Sequence, residues 1–213
     1  MIARESFNIV KKTEGDGSMS SNQTINESLR KLTEGNNRFA GSKPVRPNQT
    51  KERRNEVSKG QNPFAVIVGC SDSRIPPEII FDQGLGDLFV IRVAGNIVDD
   101  VALGSIEYAV DHLGTPLVVI LGHGKCGAVT AAVQGGEAHG HIGAIIKTIV
   151  PAVEKAKTQS GDLTDNAVRA NVGFVVDAVR SSKPILTKAL DQGKVKIVGA
   201  YYDIESGKVE FIV

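Results

Sequence analysis

Three apolar runs, Phe64 to Val68, Leu88 to Val93 and Leu117 to Leu121, constrain the fold of this chain more than any other feature. They are short and rich in Val, Ile and Phe, and none alternates polar with apolar residues. Successive side chains of a strand point to opposite faces, so a strand with one wet face must alternate. An unbroken apolar run therefore predicts a strand covered on both faces, as in a parallel sheet with helices on either side. Helical candidates lie between the runs, at Asp100–Leu113 and Lys125–Gln134, and again over 141–157, 163–181 and 184–191. Two further runs, Val195–Ala200 and Lys208–Val213, end the sequence. The link between them, Asp203-Ile204-Glu205-Ser206-Gly207, is short enough for an antiparallel hairpin. The expected fold is α/β, with a central, mostly parallel sheet, an antiparallel C-terminal edge strand and flanking helices.

Upstream, Ile25, Leu29, Leu32 and Phe39 are spaced for one apolar helix face, predicting a helix from near Thr24 to just before Gly41. The segment that follows, to Gly60, carries Lys43, Arg46, Lys51, Arg53 and Arg54 with two prolines, and reads as a solvated or partner-facing surface. Residues 1–23 contain lysines and a Gly/Ser/Asp-rich stretch but no apolar h-region. A poorly ordered arm and a cytoplasmic location are expected, with a removed signal or organelle targeting left open and Met19 as an alternative start. No repeat or linker divides 24–213, which reads as a single α/β domain. With 25 Lys plus Arg against 24 Asp plus Glu, the net charge of +1 gives no broad footprint for nucleic acid. No run approaches the ~20 apolar residues that span a bilayer.

In open parallel sheets, sites gather where loops leave the carboxyl ends of strands. Two such loops here are rich in chemistry: Gly69-Cys70-Ser71-Asp72-Ser73-Arg74 and Gly122-His123-Gly124-Lys125-Cys126-Gly127. They hold both cysteines of the chain. If their strands are neighbours, Cys70, His123 and Cys126 converge, and two thiolates with an imidazole make a good donor set for zinc. Buried inert thiols and a Cys70–Cys126 disulfide are the other readings of the two cysteines; the disulfide would leave His123 and Asp72 unexplained. Asp72, paired with Arg74, would stay ionised and accept a hydrogen bond from a zinc-bound water; unpaired, it could swing in as a fourth ligand and close the site. Residues 122–127 also spell the dinucleotide fingerprint G-x-G-x-x-G. The context is wrong for it, because the motif follows the third strand and no strand ending in an acid lies about 20 residues on.

At these residues the sequence resembles the β-class carbonic anhydrases. The resemblance rests on CSDSR (70–74), RVAGN (92–96), EYAV (107–110) and GHGKCGAV (122–129), and more loosely on 198–203. It implies a core of four parallel strands with an added antiparallel one, and an N-terminal helical arm packed on the partner of a homodimer or dimer of dimers. It implies one Zn2+ per chain held by Cys70, His123 and Cys126, with Asp72 and Arg74 as a catalytic dyad. The implied reaction is reversible hydration of carbon dioxide to bicarbonate and a proton, by attack of zinc-bound hydroxide. In plant-type members, Gln61 would hydrogen-bond substrate while Phe89, Ala94 and Tyr108 wall the pocket. Val93 departs from an asparagine common in that motif. Ile67 stands where a bicarbonate-inhibited subgroup has tryptophan, a residue this chain lacks altogether. His139, His141 and Tyr108 are candidate proton relays. Hydrolysis of carbonyl sulfide or carbon disulfide at the same site, and a non-catalytic zinc or redox-sensing protein, are the competing readings.

Overall fold

The structure is a computed structural model in which residues 21–213 are described, the side chains of Asn22 and Gln23 excepted. The arm expected over 1–23 therefore lies outside the described residues, apart from Ser21–Gln23, which belong to the first helix. In order, the elements are α1 (Ser21–Ala40), α2 (Lys51–Val57), β1 (Ala65–Gly69), α3 (Pro77–Ile80), β2 (Leu88–Arg92), a 3-10 turn (Ala94–Asn96) and α4 (Asp100–Asp111). Then follow β3 (Leu117–His123), α5 (Gly127–Gln134), α6 (Ile142–Ala156), α7 (Leu163–Arg180), α8 (Ile185–Asp191), β4 (Lys196–Tyr202) and β5 (Val209–Phe211).

The five strands form one sheet in the order β2-β1-β3-β4-β5, parallel throughout except for the antiparallel β4–β5 pair. The fold expected from the apolar runs is the fold observed, and burial shows why those runs do not alternate. On one face Ala65, Ile67, Leu117, Val119 and Leu121 meet α1, α3, α5 and α6; on the other Val66, Val68, Val118 and Ile120 meet α4, α8 and the later half of α7. All nine side chains are fully buried. With both faces dry, neither can carry polar residues.

The strand order also creates the crevice. From β1 the chain moves to β2 on one side, then crosses back so that β3 lies on the other. The loops after β1 and β3 thus diverge at the carboxyl ends of adjacent strands, the switch point where sites form. Register sets Gly69 beside Leu121, so the two strand ends are nearly level.

The basic segment holds a helix that its charge concealed. No residue of α2 is buried, so it has no apolar stripe to read; its signal is Thr50, whose hydroxyl accepts from the Arg53 N–H as an N-cap. The strap before it is pinned by Asp82, which is buried and accepts from Arg38 Nε (2.6 Å), Val45 N (2.9 Å) and Arg46 N (2.8 Å). Asn36 of α1 plays a similar part: Nδ2 donates to Ile80 O and Gly207 O, and Oδ1 accepts from Val209 N.

Candidate metal centre

Cys70 is the first residue past β1, His123 is the last of β3, and Cys126 immediately precedes α5. Lys125 adopts a left-handed φ of 54°, and this turn brings His123 and Cys126 round to one point. Gly124 allows the close approach: a Cβ there would lie 2.7 Å from Tyr201 Oη. One donor atom from each of Cys70, His123 and Cys126 falls within 4.8 Å of the others, and all three residues are buried. Among the described residues the two sulfurs are free thiols 4.0 Å apart, not a disulfide.

This donor set fits a tetrahedral metal ion. Two sulfurs each about 2.3 Å from one ion sit roughly 3.8 Å apart, close to the spacing found. His123 Nδ1 lies 2.9 Å from Gly124 O, which fixes the ring and leaves Nε2 fully buried with no hydrogen-bond partner. An imidazole nitrogen abandoned in a dry interior is costly unless something occupies it. One thiol is readily deprotonated: the Cys126 S–H beside Cys70 lowers the Cys70 pKa more than burial raises it, with help from the Gly95 amide. Cys126 is pushed up in return, by that same contact and by burial.

At the mouth, Arg74 grips Asp72 through both carboxylate oxygens, Nε to Oδ1 at 2.9 Å and Nη2 to Oδ2 at 2.7 Å. This fork holds the Asp72 carboxyl down to about 2 against the partial burial that would raise it. Asp72 Oδ2 is 4.0 Å from His123 Nε2, so the carboxylate borders the cluster while committed to Arg74. Arg74 also donates to Lys125 O at 3.0 Å, tying the two loops together.

Two residues with no role assigned from sequence brace the first loop. Arg92, at the end of β2, donates to Cys70 O at 2.8 Å and to Asp72 O at 2.5 Å. The Gly95 N–H donates to Cys70 Sγ at 3.1 Å. Both stand in the RVAGN stretch, which was the available signal.

The four pocket residues divide. Ala94 adjoins the cluster, one residue before Gly95. Gln61 is exposed upstream of β1, at the opposite end of that strand from Cys70. Phe89 packs on the α4 face of the sheet, opposite the cysteines, with its ring 6.3 Å from that of Tyr108, which is half-exposed. Within one chain, then, Ala94 stands beside the cluster, Phe89 and Tyr108 across the sheet from the cysteines, and Gln61 beyond the far end of β1. Sequence spacing cannot show on which face of a sheet a residue emerges. His139 and His141, the histidines considered as relays, are exposed in the loop before α6.

The chain is similar to known proteins in sequence and in fold. The family model described as carbonic anhydrase matches residues 65–209. The chain is 39% identical over 181 residues to carbonic anhydrase 2 of Mycobacterium tuberculosis, covering 83% of this chain and 87% of that one. Among solved structures it is similar to the β-carbonic anhydrase CafA of Aspergillus fumigatus, with a TM-score of 0.70 and 29% identity over 76% of this chain and 80% of that one. It is also similar to a tetrameric β-carbonic anhydrase from Sordaria macrospora, with a TM-score of 0.70 and 26% identity over 87% of this chain and 97% of that one. The sheet, the buried Cys-His-Cys cluster and these likenesses together make the chain an enzyme of the β-class carbonic anhydrase family.

Proposed function

We propose that Cys70, His123 and Cys126 hold one zinc ion and that residues 24–213 act as one catalytic unit for the reversible hydration of carbon dioxide. The observation that carries this reading is the unpartnered, fully buried Nε2 of His123 beside two free thiols, with an ionised carboxylate at the rim. Zinc supplies a Lewis acid that brings the pKa of a bound water from 15.7 towards roughly 7, though two thiolates temper that effect.

The chain's own residues do the rest. Because Arg74 keeps Asp72 ionised, its carboxylate remains an acceptor at every working pH and can take a hydrogen bond from a water in the crevice. That bond turns the remaining lone pair of the water outward, towards an incoming substrate. Asp72 is engaged with Arg74 here rather than turned in as a fourth ligand, which supports the open form. Carbon dioxide is small and apolar, and Ala94 offers it an apolar contact beside the cluster.

Gln61, Phe89 and Tyr108 complete the pocket only if a second copy brings them to it. The surface supports such a pairing. β2 is an edge strand with half-buried apolar side chains, and Val101 and Tyr108 on α4 are 78% and 46% exposed. A homodimer, or a dimer of dimers, would cover them. Among the described residues no helix is long and apolar enough to cross a membrane.

The test is metal content together with stopped-flow hydration across pH 6.5–9, with carbonyl sulfide and carbon disulfide assayed in parallel. Cys126→Ser should lose zinc and activity together. Asp72→Asn should keep its zinc and lose roughly 10²–10⁴-fold in turnover, the range for a positioned acid–base group. An Asp72→Asn enzyme with full turnover rules out the dyad, and retained zinc in Cys126→Ser rules out the ligand set.

A further inference from the structure

We propose that Asn171, on α7, is a positioning residue for the metal centre: its side-chain amide fixes the Gly95 backbone so that the Gly95 N–H points at the Cys70 sulfur. This deepens the reading of Cys70, His123 and Cys126 as metal ligands and rests on it. Asn171 is 2% exposed and stands in the sequence of α7 among the buried Val168, Val172, Val175 and Val176. A polar group in that company is expensive unless it is hydrogen-bonded. Its Nδ2 donates to Gly95 O at 2.9 Å, across 76 residues of sequence.

Gly95 thus makes two buried bonds, one through each of its peptide groups. Asn171 holds its carbonyl, and its N–H donates to Cys70 Sγ at 3.1 Å. The turn needs such a hold. Gly95 has φ 71° and Asn96 φ 46°, two successive left-handed residues of which the second is not glycine. Asn96 does not secure the turn with its own amide, whose Nδ2 is buried without a partner. Packing restrains one side, since a Gly95 Cβ would come within 2.7 Å of Ile149 and 3.3 Å of Ala128. Two directional bonds hold the Gly95–Asn96 peptide: its N–H donates to Val93 O at 2.8 Å within the turn, and its carbonyl accepts from Asn171, the one of the two that ties the turn to α7.

An amide donating to a thiolate draws charge from the sulfur and orients its lone pairs. Such outer contacts govern how firmly a ligand grips its ion. With two sulfurs in the donor set, a hydrogen bond to one of them sets how much positive charge remains at the centre. Release of the Gly95 carbonyl leaves this peptide held only by the Asn96 N–H bond to Val93 O, so the turn loosens from α7 and the Gly95 N–H bond to Cys70 weakens.

The experiment uses the whole zinc-loaded chain, Asn171→Leu, Asn171→Ala and, as control, Val176→Ala, which loosens the same helix where it faces Gly199 rather than Gly95. Zinc transfer to a chelator and the sulfur-to-cobalt charge-transfer band of the cobalt-loaded protein are measured on folded material. Both Asn171 variants should release zinc about 10–100-fold faster and shift the band, with Val176→Ala at wild-type values. Asn171→Ala truncates the side chain as Val176→Ala does and has no donor, so it carries the comparison alone if Asn171→Leu does not fold. Wild-type release and an unmoved band in Asn171→Ala, or equal changes in Val176→Ala, overturn the proposal while leaving the ligand set intact. A wild-type chain that takes up no metal overturns the ligand set itself.

Discussion

Gly122→Ala adds one carbon atom beside His123 and tests how the sheet end is held. The new Cβ would lie 2.5 Å from Val172 Cγ2 and 3.2 Å from Val168 Cγ1. Carbon atoms rest about 3.5–4.0 Å apart, so α7 and the end of β3 must separate by roughly 1 Å or the valines must turn. Neither valine can turn cheaply: both are buried, and a β-branched side chain in a helix has one favoured rotamer. Overpacking of this kind costs about 1–3 kcal/mol, or roughly 2–12 °C in Tm for a chain of this size. The strain sits next to a candidate ligand, so zinc retention should fall with stability. Val172→Ala alone removes two buried methyl-sized groups, about 1.5–2.5 kcal/mol of burial plus any cavity left behind. The same change opens the space that the new Cβ needs. In the double variant the two effects should therefore not add: its Tm should match that of Val172→Ala, with a coupling of at least about 1 kcal/mol and zinc retention restored. Thermal unfolding of the four proteins measures this directly. Strict additivity would show that the contact between α7 and β3 does not constrain Gly122.

Two further changes probe the elements that hold α1 against the sheet. Asn36→Ala leaves the carbonyls of Ile80 and Gly207 and the N–H of Val209 without their partner, and should cost about 2–4 kcal/mol in denaturant unfolding. Hydrogen exchange at the Val209 amide should accelerate more than at the centre of β3; an unchanged rate there contradicts the role given to Asn36. For Asp82, burial works to raise the carboxyl pKa, but donation from Val45 N, Arg38 and Arg46 N outweighs it and the net shift is downward. A folded pKa below the unfolded value of about 3.9 gives stability that is present above pH 4 and lost as pH falls through the folded value. Asp82→Asn should thus lower Tm at neutral pH and flatten its decline below pH 4; parallel curves for the two proteins would refute the assignment.

The sheet was legible because its signal is local. A run such as Leu117–Leu121 reports two-sided burial without knowing its neighbours. The convergence of Cys70, His123 and Cys126 needed only the further step that β1 and β3 adjoin, which the topology of parallel sheets favours. α2 was hidden because a helix with no buried face has no period to detect, and only Thr50 marks its start. Asn171, Asn36 and Asp82 were invisible for another reason. Each acts through backbone groups between 36 and 173 residues away, and nothing in the flanking sequence signals which carbonyl or N–H a buried polar side chain will meet. Phe89 and Tyr108 fall between these cases: their contact with each other follows from β2 and α4 packing, but their remoteness from the cysteines depends on which face each presents.

The two borders of the sheet are unequal, and this bears on how large an assembly can grow. β5 offers three residues, with Glu210 tied to Arg169 at 3.0 Å, whereas β2 offers five with four apolar side chains and, among the described residues, no strand beyond it. A two-fold contact through β2 consumes the open border of both copies at once. What remains outward is short and charged, a poor template for further strands. If copies pair through β2, association through this sheet would be self-limiting, ending at a closed particle instead of a fibre.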